Sequence, residues 1–204
     1  MGRTHREQDR ETFFHVVTRG NNGEWIVRDP VDKAAFRAEL HRVAVKYEWD
    51  VWAWCLLSNH FHIVLRTPKL GLSEGMQELN GNHARRMNRR YDRTGHLVRN
   101  RFFSVALETE AHLVAAILYV ARNPVRAGLC ASPAAWPDGG YRATAGLEPA
   151  PPWLAVASVR ALFGEDHQRA VATYRDFVHA GHLPVSDTVE EVSRVGRGSA
   201  VTSG

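Results

Sequence analysis

The chain has 204 residues, 44% of them hydrophobic and 24% charged, with six Trp and eight Phe; that is enough apolar mass for one core of ordinary domain size, and it excludes a wholly disordered polymer. The net charge is only +4, yet just three of the 26 basic residues are lysines (Lys33, Lys46 and Lys69), and the arginines that make up the rest carry a planar fork suited to phosphate oxygens. Two cysteines, Cys55 and Cys130, are too few for a disulfide framework or a cysteine zinc site, and no apolar leader or membrane-length apolar run is present, so the sequence predicts a soluble, non-exported protein of a reducing cytoplasm.

Residues 1–11 are charged and predicted to be loose. TFFHVVTRG (12–20) is aromatic and β-branched and ends in a GNNG turn, which predicts a first strand. Asp29-Pro30 opens a helix over about 31–47, with Phe36, Leu40, Val43 and Ala44 at helical spacing. DVWAWCLL is a second strand, Ser58-Asn59 a tight turn, and HFHIVLRT a third strand stopped by Pro68. A second helix covers about 73–91, and HLVRNRFFSVALE alternates like a fourth strand. Thr109 caps a third helix, EAHLVAAILYVARN, that meets Pro124, with Gly128 as terminator. The order β-α-β-β-α-β predicts an α+β, ferredoxin-like (RRM-like) antiparallel sheet with helices on one face. A Pro- and Ala-rich connector, PAPPW, then leads to two short helices, about 155–162 and 166–179. The expected layout is a loose N-terminus (1–11), a main domain (12–148), a helical C-terminal extension (149–185) and a flexible tail (186–204).

Three features carry chemistry. In LLSNHFHIVLRT, His60 and His62 are two apart on a strand, so both rings point to one face. Adjacent neutral imidazoles are either satisfied core residues or a pair of ligands for a divalent metal. On the third helix, Tyr119 and Asn123 are four apart and share a face whose neighbours are apolar; alone, they read as a core-edge tyrosine and a helix-ending asparagine before proline. Residues 83–101 carry seven arginines, Arg85, Arg86, Arg89, Arg90, Arg93, Arg99 and Arg101, against one aspartate, Asp92, which is either a solvated helix face or a track for a phosphate backbone.

Taken together, HFH on a strand and YVARNPVRAGL on a later helix, with FHVVTRGNNG, RNRFFS and AWPDGGYRATAG, resemble the REP-associated tyrosine transposases of the HUH single-strand nuclease superfamily, over about residues 12–146. The resemblance implies Tyr119 as nucleophile, with His60, His62 and Asn123 holding Mg²⁺ or Mn²⁺. It also implies cleavage and rejoining of single-stranded DNA beside hairpins through a 5′-phosphotyrosine, in a monomer or homodimer associated with the bacterial nucleoid. Tyr91, inside the basic stretch, is the rival nucleophile, and Arg122 and Arg126 flank the tyrosine as candidates to grip the reacting strand. Many relatives have serines where this chain has WPDGGY. A catalytically silent nucleic-acid-binding module on the same fold is the alternative; a structural metal site on an unrelated fold would be unusual with no cysteine ligand.

Overall fold

The computed structural model describes residues 12–67, 71–99 and 102–181; the expected loose N-terminus, the tail, Pro68 and Arg101 lie outside those residues. The first strand β1 spans Thr12–Arg19, helix α1 Pro30–Lys46, β2 Asp50–Leu56, β3 His60–Thr67, α2 Leu72–Arg90, β4 Phe103–Leu107 and α3 Glu110–Arg126, followed by short α4 (Tyr141–Thr144), α5 (Val156–Ala161) and α6 (His167–Ala180). The strands form one antiparallel sheet in the order β2-β3-β1-β4, which is the expected ferredoxin-like arrangement.

Local chemistry sets the boundaries. Asp29 caps α1 by accepting from the Val31 and Asp32 amides at 2.9 and 3.0 Å, with Pro30 at the first position. Thr109 caps α3 through the His112 amide at 3.1 Å. The end of α3 differs from the expectation: the helix does not stop at Asn123 but runs through Pro124 to Arg126, and the chain then turns at Gly128 with φ 70°. Proline removes one intrahelical bond, but Asn123 and Pro124 are buried and the Ala127 amide still reaches the Asn123 carbonyl at 2.9 Å. Packing holds the last turn against the local preference.

Alternation along the strands splits the core in two. Val16, Phe61, Ile63 and Leu65 face α1 and α2, joining Phe36, Leu40, Met76, Leu79 and Met87. Val17, Ala53, Cys55 and Val64 face α3, joining Leu113, Ile117 and Val120, and α5 and α6 add Val159, Tyr174 and Val178 to this second core. The C-terminal helices therefore finish the layer that α3 begins. A buried carboxylate ties that layer to the opposite one, since Asp138 pairs with Lys33 and Arg37 of α1 at 2.7 and 3.0 Å.

Candidate active site

The central strands build the site. Their register sets Val17 opposite His62 and Arg19 opposite His60, so His15, Arg19, His60 and His62 share the face covered by α3. His62 is fully buried; its Nδ1 lies 3.0 Å from His15 Nε2 and its Nε2 3.2 Å from Asn123 Nδ2. His60 Nδ1 lies 2.7 Å from Asn59 Oδ1, and Asn123 also acts on the His60 ring. The ring of Tyr119, 4% exposed, stands edge-on to His62 and His15, with centroids 5.6 and 5.8 Å away. The guanidinium of Arg126 lies 5.1 Å from the Tyr119 ring centroid. The structure thus gathers Tyr119, Asn123, His60 and His62 from one helix and one strand.

Burial keeps these imidazoles neutral. It lowers His15 to about 3 and His62 well below the ordinary histidine range, His62 also feeling His15 and His60. His60 falls to about 4 through burial and the charge of Arg19, with Asn123 working the other way. Each ring therefore keeps one lone pair at neutral pH. Among the described residues no group of three or more His, Cys, Asp or Glu side chains is placed to hold a metal ion. Two neutral imidazoles and one amide nonetheless make a mixed nitrogen and oxygen donor set, compatible with a divalent cation that takes further ligands from water or substrate.

Three residues at this site escaped the sequence reading. His15 and Arg19 arrive only through the β1–β3 register, and Asn59 looked like no more than a turn residue. Arg19 Nε is buried without a hydrogen-bond partner among the described residues. Burial lowers the Arg19 pKa, Tyr119 raises it and neighbouring Arg99 lowers it, which places a cation beside the tyrosine.

The other sequence candidates are dispersed. Tyr91 lies on the α1/α2 side of the sheet; its hydroxyl donates to Asp32 Oδ2 at 2.8 Å, and burial followed by Asp32 pushes its pKa up, so it is a poor nucleophile and far from the histidines. Arg90 pairs with Asp29 and Asp32, and Arg93 with Glu24. Arg85, Arg86 and Arg89 are exposed and line an open cleft of about 610 Å³ between α1 and α2, with no acidic partner among the described residues. Arg122, expected to grip the reacting strand, donates instead to the Val178 carbonyl at 2.9 Å and the His179 carbonyl at 3.4 Å, capping α6.

A ferredoxin-like sheet thus carries a histidine pair on a central strand, facing a helix that carries a tyrosine. Residues 10–123, more than half of the chain, match the family described as Transposase IS200 like, and the chain belongs to that family. A solved structure of a REP-associated tyrosine transposase bound to a REP hairpin superposes with a TM-score of 0.59 over 73% of this chain and 89% of the other, at 19% identity; at that identity the likeness is one of fold. Comparison with curated proteins finds no match. No helix among the described residues is long and apolar enough to cross a membrane.

Proposed function

We propose that this chain cleaves and rejoins single-stranded DNA beside hairpins, with Tyr119 as nucleophile. The observation that supports this best is the meeting of Tyr119 and Asn123, one helical turn apart on α3, with His60 and His62 on β3. The phenol oxygen of Tyr119 forms a bond to the scissile phosphorus as the bond to the 3′-oxygen breaks; the phenol gives up its proton and the 3′-oxygen gains one. A 5′-phosphotyrosine and a free 3′-hydroxyl result, and attack by such a hydroxyl reverses the step without outside energy. His60, His62 and Asn123 would hold Mg²⁺ or Mn²⁺, which supplies Lewis-acid polarisation of the phosphate when bound. Arg19 and Arg126 set positive charge beside the phenol, which offsets charge on the phosphate. The hairpin-bound relative motivates the choice of hairpin DNA as substrate, in a monomer or homodimer.

The burial of Tyr119 favours a second reading, a nucleic-acid-binding module that has kept the fold and lost turnover. One assay separates the two. Labelled single-stranded hairpin DNA from the genomic neighbourhood is incubated with Mn²⁺ or Mg²⁺ and either wild type or Tyr119→Phe. A covalent protein–DNA adduct in wild type that is absent in the variant is the expected result. Hairpin binding with no adduct in any metal would select the silent module.

A further inference from the structure

A neutral imidazole has one N–H and one lone pair, so the nitrogen that can accept a ligand is decided by what the other nitrogen meets. For His60 that other nitrogen is Nδ1, 2.7 Å from Asn59 Oδ1. The far side of the Asn59 amide fixes its orientation: Nδ2 donates to the Gly23 carbonyl at 3.3 Å, so the atom turned to His60 is the oxygen, which only accepts. His60 Nδ1 must then carry the proton, and its lone pair sits on Nε2. The Gly23 carbonyl is itself held in place. Asn22 and Gly23 take φ values of 51° and 74° in a turn tied to the 58–59 turn by the Gly20 amide to the Asn59 carbonyl (2.7 Å) and the Ile26 amide to the Ser58 carbonyl (2.8 Å).

His62 reaches the same state through another partner. Asn123 Nδ2, a donor, lies 3.2 Å from His62 Nε2, which must accept; the proton is then on Nδ1, 3.0 Å from His15 Nε2. We propose that Asn59 and His15 are positioning residues that hold His60 and His62 in the Nδ1–H tautomer, so that both Nε2 lone pairs are presented toward Asn123 for a divalent cation. Outer partners of this kind commonly fix the ring that a metal uses. The purpose of the two lone pairs rests on the proposed function; the tautomers do not.

The test is nuclear magnetic resonance on the metal-free full-length protein at neutral pH, using long-range proton–nitrogen correlations that report which ring nitrogen is protonated. Wild type is expected to show Nδ1–H at both rings. Asn59→Leu is expected to release His60 toward a mixture of tautomers while His62 is unchanged, and Asn59→Asp, which keeps an acceptor oxygen, is expected to restore His60. His15→Phe is expected to disturb His62 alone. Binding of Mn²⁺, followed by paramagnetic broadening of both rings, should weaken by roughly 10- to 100-fold in Asn59→Leu. An Nε2–H proton on either ring of wild type overturns the inference without needing any variant to fold, as does a His60 tautomer indifferent to Asn59→Leu. Wrong tautomers together with adduct formation would sink only this inference. Correct tautomers without any adduct would sink only the proposed function.

Discussion

Tyr91 and Tyr119 carry the same phenol, and their neighbours give them opposite prospects. Tyr119 stands among neutral imidazoles with Arg126 over its ring, whereas the Tyr91 hydroxyl is committed to the buried carboxylate of Asp32. Burial would raise the Asp32 pKa, but the Arg28 amide, Tyr91 and Arg90 outweigh it and leave Asp32 below the ordinary carboxylate value. Removing one donor from a buried charge costs about 1–3 kcal/mol. Tyr91→Phe is therefore expected to lower the unfolding free energy by that order, as read from urea unfolding, and to leave adduct formation within a small factor of wild type; a folded Tyr91→Phe protein that forms no adduct would contradict the assignment of Tyr119. At this scale, legibility tracked sequence distance. His60 with His62, and Tyr119 with Asn123, were visible because strand and helix periods place each pair on one face. His15 and Arg19 were not, because a pattern within β1 cannot say which face of β3 its side chains meet. Arg122 read as a DNA contact because nothing local reveals that α6 ends against it.

Helices show where periodicity suffices and where packing overrules it. The starts of α1 and α3 were legible from Asp29-Pro30 and Thr109, since capping is written in a few adjacent residues. The course of α3 through Pro124 was not, because its support comes from burial of Asn123 and Pro124 in the finished protein. Glycines within α2 make the same point in a measurable way. A β-carbon on Gly75 would stand 2.3 Å from Trp49 Cζ2, a buried ring, whereas one on Gly81 would meet only the Arg85 Nη1 atom at 3.4 Å, the movable end of a long side chain. Helix propensity favours alanine at both positions by about 1 kcal/mol, but overpacking at Gly75 costs about 1–3 kcal/mol or more. Gly75→Ala is expected to destabilise the protein and Gly81→Ala to stabilise it by about 0.5–1 kcal/mol, as read from urea unfolding. Equal effects at the two sites would mean that Trp49 yields readily and that α2 is loosely seated.

Across the whole molecule, the sheet separates two basic regions that one stretch of sequence seemed to join. Arg19, Arg99 and Arg126 belong to the tyrosine side, while Arg85, Arg86 and Arg89 line the cleft on the α1/α2 side. A single strand crossing the site cannot lie on both faces at once. If the cleft arginines contact DNA, they hold a part of it remote from the scissile phosphate, and their loss should weaken binding without altering the bond-breaking step. Each phosphate contact contributes about 0.9 to the slope of log affinity against log salt for duplex DNA, and about 0.7 for single strands. Replacing Arg85, Arg86 and Arg89 together by glutamine is thus expected to reduce that slope by about 2–3 and to weaken hairpin binding at moderate salt. Adduct yield at saturating DNA should stay near that of wild type, because no group beside Tyr119 has changed. An unchanged salt slope would make the α2 arginines a solvated helix face and leave the grip on DNA to the cations around the tyrosine. A normal slope with lost adduct would mean that the two faces are coupled through the sheet, with the cleft contributing to the reaction itself.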